Sequence, residues 1–200
     1  EISACLVGSE MCIRDSLCRM NRELEQYIER TVIPRYEGFD RAHGTEHVRT
    51  VIARSLALAR HYDVSPEMVY AVAAYHDTGL AFGRERHHID AGRILFEDRE
   101  LRRWFSEEQL RVMREAVEDH RASSDHAPRS IYGRIVAEAD RCIEPLTILR
   151  RTIQYGLAHY PQLDRQGHYD RFAEHLRKKY ADGGYLRLWL PESDNAQRLE

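Results

Sequence analysis

From Met20 onward, apolar residues recur three and four positions apart, which is the spacing of helices that bury one face against a core. No alternation of useful length predicts a strand. Proline, glycine and serine interrupt the pattern at Pro34, 38–44, 65–66, 79–83, 123–128, 161–167 and 183–184. The sequence therefore predicts an all-α protein, a helical bundle formed by a single domain over 20–200.

Capping residues set the starts of the predicted helices. Asn21 caps a helix that runs to about Ile33, Thr45 opens one to about Tyr62, and Ser65 with Pro66 opens one to His76. Further helices are predicted at about 88–97, 106–121, 129–143, 146–159 and 168–180.

The first nineteen residues have the character of a leader that does not belong to the fold. Val7 to Asp15, VGSEMCIRD, resembles one reading frame of a transposase adapter used in DNA sequencing. We therefore expect 1–19 to be a non-native leader and Met20 to be the native start. Three of the four cysteines fall in this stretch, and the remaining Cys142 predicts a reducing compartment without disulfides.

Charge and hydropathy limit the partners and the location that the sequence predicts. The chain carries 30 Lys and Arg against 33 Asp and Glu, mixed in sequence, so no basic face predicts a nucleic-acid or anionic-lipid partner. No apolar run approaches the roughly 20 residues of a membrane-spanning helix. We expect a cytoplasmic protein without a membrane partner, and its oligomeric state, a homodimer included, stays open.

Titratable side chains fall in the apolar stripes of five predicted helices. The pairs that share a face are His47 with Val51, His76 with Val72, His88 with Leu95, His120 with Val117 and Asp140 with Val136. A single inward histidine is usually a hydrogen-bonded core residue. Burying such a group on each of five helices costs free energy unless the groups converge on a positive charge, which a divalent metal supplies. Imidazoles and carboxylates without thiolates suit manganese, iron, cobalt, nickel or zinc.

These residues carry a resemblance to a known family. His47, the dyad His76-Asp77 in AAYHDTGL, and Asp140 in VAEADR resemble the metal-binding signature of the HD-domain superfamily over about 40–143. The resemblance implies an all-helical HD-domain bundle and a metal-dependent phosphohydrolase. By the same resemblance, those four residues hold a divalent metal ion.

The resemblance extends to a second ion. His88 in RHHIDAG and His120 in VEDHRAS match the extra histidines of the two-metal branch, in which Asp77 bridges the ions. His88 is favoured over His87 because it precedes Gly92 by four residues, as in the two-metal relatives, and shares the face of Leu95. One or two ions are therefore expected.

The implied substrate is a small phosphate ester, such as a nucleotide or a related phosphomonoester or phosphodiester. Its phosphate needs cations near the metals, and the candidates are Arg84, Arg86 and Arg121, with Lys178 a weaker one. Asp77, His43, Arg84 and Arg121 are the candidates for catalysis. His43 lies one turn before His47, and we favour it as a donor that supports the ligands.

Two other functions stay open. Some HD-domain oxygenases use the same six-ligand order for a mixed-valence di-iron centre, so ligand identity does not separate them from hydrolases. The second of these functions is that of a sensor or binding module with a degenerate site, and the intact ligand set argues against it.

Overall fold

The computed structural model describes residues 20–40, 42–141 and 143–199, and within these ranges it contains helices and no strand. The α-helices are α1 (Arg22–Thr31), α2 (Thr45–Ala59), α3 (Pro66–Tyr75), α4 (His87–Glu97), α5 (Glu107–Glu118), α6 (Ile131–Asp140), α7 (Pro145–His159), α8 (Arg165–Tyr180) and α9 (Asn195–Leu199). Short 3-10 helices span Ile33–Gly38, Thr78–Phe82 and Glu100–Arg103. The predicted all-α fold is confirmed, whereas the predicted leader and Cys142 lie outside the described residues.

The chain divides into two compact units, where the sequence predicted one domain. The first unit ends at Asp140 and contains α1–α6; the second unit, Arg141–Glu200, contains α7–α9. Among the described residues, no helix combines the length and the apolar character needed to cross a membrane.

Helix α3 is the centre of the first unit. The Ser65 side chain caps its start, with Pro66 at the first position, as the sequence predicts. Every residue from Met68 to Tyr75 is buried, because α2, α4, α5 and α6 all pack against this helix. The two residues that follow the helix, His76 and Asp77, therefore lie inside the unit.

Predicted helix starts agree better with the structure than predicted ends. Asn21 caps α1 and Ser106 forms a capping box on α5, since short polar side chains satisfy the first free backbone N–H groups. Helix α2 ends at Ala59, before the expected Tyr62. After α1, Pro34 lies in the first turn of a 3-10 helix, a position that tolerates proline.

In the second unit, α7 packs against α8. Arg171 of α8 donates a hydrogen bond to the carbonyl of Thr152, and its guanidinium lies over the rings of Tyr155 and Tyr160.

Candidate metal centre

The His76-Asp77 dyad is buried at the end of α3. His76 is 0% exposed and Asp77 is 4% exposed. The His76 Nδ1 donates to the carbonyl of Ala73 at 2.7 Å, so its Nε2 keeps a free lone pair. That Nε2 lies 3.2 Å from Asp77 Oδ2. The dyad therefore presents one nitrogen and one carboxylate to the interior of the first unit.

Two more helices add side chains beside the dyad. The His47 Nε2 of α2 lies 3.3 Å from His76 Nε2 and 3.6 Å from Asp77 Oδ2. Asp140, the last residue of α6, places Oδ1 3.2 Å from His47 Nε2 and 4.0 Å from His76 Nε2. We call His47, His76 and Asp140 the first ligand group.

Two histidines approach the other oxygen of Asp77. Their Nε2 atoms lie 3.5 Å from Asp77 Oδ1 for His87 and 3.4 Å for His120. His87 Nδ1 donates to the carbonyl of Arg84 at 2.8 Å, and His120 Nδ1 donates to that of Val117 at 2.6 Å. We call His87 and His120 the second ligand group. Asp77 lies between the groups and turns one oxygen to each.

The structure corrects the choice between the two adjacent histidines. His87, not His88, joins Asp77 and His120 within ligand distance of one another. The His88 ring lies 5.5 Å from that of His87, and its Nδ1 is buried without a hydrogen-bond partner. Both histidines share a face with Leu95, so helical periodicity cannot separate them.

Gly79 explains why His87 faces the dyad. A Cβ at Gly79 would lie 2.0 Å from the carbonyl oxygen of His87 and 2.6 Å from the amide nitrogen of Ala91. The start of α4 therefore rests directly on the backbone of the dyad loop, with the His87 side of the helix toward Asp77. This contact joins the dyad loop to the start of α4, and helical periodicity does not reveal it.

The electrostatics of the two groups suit a bound cation. Burial raises the pKa of Asp77, but its electrostatic attraction to His76 and its contacts with His120 and His47 hold that pKa well below its usual range. Burial lowers the pKa of His47, but hydrogen bonds to Asp140 and Asp77 raise it to about 9. Burial and the nearby charge of His120 lower the pKa of His87 to about 4. An ionised, buried carboxylate surrounded by imidazole nitrogens is a donor set that divalent metals bind.

His43 lies beside the first ligand group, and its predicted supporting role stays a prediction. Its ring is 5.9 Å from that of His47, and its Nδ1 lies 2.8 Å from Asp40 Oδ1. Burial lowers the pKa of His43, opposed by the negative charge of Asp77, and the positive charge of Arg84 lowers it further.

The other predicted cations differ in their surroundings. Arg121, directly after His120, donates from Nη1 to the carbonyl of Glu85 at 2.8 Å and so fastens the loop that carries Arg84 and Arg86. Arg86 is exposed. Lys178 belongs to the second unit, where it pairs with Glu174 at 2.7 Å, and its contact with substrate stays a prediction.

Sequence reasoning missed Tyr36. Its buried hydroxyl donates to the carbonyl of Ala74 at 2.8 Å and accepts from the backbone N–H of Asp77 at 3.2 Å. The phenol thereby fixes the backbone of the shared ligand. No local signal marks a tyrosine between two predicted helices as the partner of the backbone N–H of Asp77, which follows much later in the chain.

Comparison with known proteins adds two findings. Residues 44–144 match the HD domain. A crystal structure of a predicted HD superfamily hydrolase from an uncultured Thermotogales bacterium superposes with a TM-score of 0.51 and 18% sequence identity, covering 78% of this chain and 87% of that chain. At this identity the likeness concerns the fold alone. No curated protein gives a significant match.

Proposed function

We propose that this chain, which belongs to the HD domain family, is a divalent-metal-dependent phosphohydrolase that acts on a small phosphate ester. One observation carries this proposal. The two carboxylate oxygens of Asp77 face separate sets of histidines, at 3.2 Å from His76 and 3.4 Å from His120. A carboxylate divided in this way is suited to bridge two ions.

The residues of the centre fit such ions. Asp77 Oδ2 and the first ligand group would hold one ion, and Asp77 Oδ1 and the second ligand group would hold the other. His76, His87 and His120 each bond through Nδ1 to a backbone carbonyl three residues earlier, which fixes the ring and leaves Nε2 to bind. When bound, divalent ions supply Lewis acidity toward a phosphate and lower the pKa of water into the physiological range.

Cations of the chain are placed to hold the phosphate. Arg84 and Arg86 lie on the loop before α4, and Arg121 follows His120. Arg121 uses Nη1 to bond the Glu85 carbonyl, and the guanidinium has further N–H donors for an anion. Arginines near the metal centre suit a phosphate group, whose negative charge they would bind and whose leaving oxygen they would help to neutralise.

His43 is the residue best placed to move a proton. Asp40 orients the ring through Nδ1 at 2.8 Å, and the half-buried imidazole lies next to the first ligand group. We assign to His43 the support of the ligands and the movement of a proton beside the first ligand group.

Phosphate release tests this function. Metal-free protein loaded with Mn²⁺ should hydrolyse members of a panel of nucleotides and simple phosphomonoesters and phosphodiesters. Asp77→Asn should abolish turnover, because both ions lose their shared ligand, whereas Asp63→Asn, at an exposed loop carboxylate, should leave it unchanged.

The same protein loaded with Fe²⁺ separates the alternatives. Oxygen consumption on iron loading without phosphate release on any panel member would contradict the proposal and favour a di-iron oxygenase. Protein that binds metal but turns over neither class would favour a binding module.

A further inference from the structure

We propose that Arg129 is a positioning residue for the second ion, because it fastens the two residues before His120 to the neighbouring helices. The inference rests on the proposed two-ion function. Arg129 lies just before α6, outside both ligand groups, and the sequence gives no sign of its role.

Arg129 and Asp119 form a pair with several hydrogen bonds. Asp119 is only 2% exposed. It accepts from the Arg129 backbone N–H at 2.7 Å, from Nε at 3.0 Å and from Nη2 at 2.8 Å. A buried carboxylate that loses such a partner is left with uncompensated charge, so the pair holds one geometry firmly.

The same guanidinium closes the C-terminal end of α5. Its Nη2 also donates to Glu118 Oε2 at 2.8 Å and to the carbonyl of Glu115 at 3.2 Å. A cation beside the C-terminal end of a helix is favourable, because the helix dipole is negative there. Arg129 thus fixes the chain direction at the point where it leaves the helix for His120.

Glu118, which Arg129 contacts, also packs against α4. A Cβ at Gly92 would lie 2.7 Å from Glu118 Cγ, so the Glu118 side chain lies directly against the backbone of α4. Arg114 Nε donates to its other oxygen at 2.8 Å. Because α4 begins with His87, the contacts made by Arg129 reach the helices of both members of the second ligand group.

The first ligand group depends less directly on Arg129. His47 lies on α2, and His76 follows the buried helix α3. Asp140 belongs to α6, but it is the last residue of that helix, at the end opposite to the one that Arg129 precedes. Loss of the Arg129 contacts should therefore weaken the binding of the second ion selectively. General destabilisation of the fold would instead weaken the binding of both ions together.

Titration of Mn²⁺ into metal-free protein by calorimetry, with elemental analysis after dialysis, tests this role. Arg129→Lys keeps the charge but loses the planar fork. We expect its second ion to bind at least tenfold more weakly and its first ion within twofold of wild type. Turnover should recover to the wild-type kcat at saturating Mn²⁺.

The matched control is Arg103→Lys. Arg103 also pairs with two carboxylates, Glu23 at 3.0 Å and Glu100 at 3.4 Å, but on the exposed surface. Both ions should bind this variant as they bind wild type. Should Arg129→Lys fail to fold, Glu118→Gln weakens one contact of Arg129 and leaves the Asp119 pair intact. This variant should show the same selective loss of affinity for the second ion, but a smaller one.

The outcomes separate the two proposals. Wild type that binds fewer than two ions contradicts the two-ion function itself. Wild type that binds two, with Arg129→Lys binding both as tightly or losing both equally, contradicts only the role of Arg129.

Discussion

The two ligand groups that share Asp77 are built by different means. The first ligand group comes from α2, α3 and α6, which pack against one another in the core of the first unit. Like His76 and Asp140, the second ligand group stands at helix ends, but on other helices: His87 is the first residue of α4, which rests on Gly79, and His120 lies two residues beyond the end of α5, whose end contacts Arg129. Core packing therefore places one group, and close backbone approaches and polar contacts place the other.

This difference has a consequence for the ions. Helix ends and loops open at lower free-energy cost than a packed core. The second ion should therefore be the more easily lost, and substitutions far from any metal ligand should be able to remove it alone.

The largest effect is expected for Gly79→Ala. The new Cβ would meet backbone atoms of α4 at 2.0 Å and 2.6 Å, which no rotamer change relieves, so α4 must move away from the dyad. We expect about 3 kcal/mol lower unfolding free energy, the upper end of overpacking costs, and loss of the second ion. Denaturant unfolding and metal analysis measure the two effects.

Gly38→Ala is the control for that substitution, since no atom lies within 4 Å of its added Cβ. It should leave stability and metal content close to wild type. Gly79→Ala with wild-type affinity for both ions would show that the approach of α4 does not position His87.

A smaller effect, shared by both groups, is expected for Tyr36→Phe. The change leaves the buried N–H of Asp77 without its partner and should cost about 1–2 kcal/mol of unfolding free energy. Because Asp77 serves both ions, both affinities should fall together in a Mn²⁺ titration.

Tyr70→Phe provides the comparison, because that hydroxyl makes only a 3.5 Å contact with Glu29. It should change neither affinity. A Tyr36→Phe protein that lost only one ion would show that Tyr36 acts on one group rather than on Asp77.

Much of the first ligand group could be predicted from the sequence. His47, His76 and Asp140 follow helical periodicity, and each helix buries the face that the spacing predicts, with Val51, Val72 and Val136 at 0–1% exposure. Local patterns suffice there because the core side of a helix is a local property.

The second ligand group could be predicted from the sequence only in part. His120 continues the buried stripe of Met113 and Val117, and its position was predicted. The choice between His87 and His88 depends on the contact with Gly79, and the orientation of His120 on Arg129. Both are tertiary contacts between separate segments, which the periodicity of a single helix does not reveal.

The most direct test of this account counts the metal ions bound by His87→Ala and His88→Ala after loading with Mn²⁺ and dialysis, with circular dichroism to verify helix content. Wild type and His88→Ala should each retain two ions per chain, and His87→Ala should retain one. Two ions on His87→Ala together with one on His88→Ala would contradict the assignment of the second ligand group.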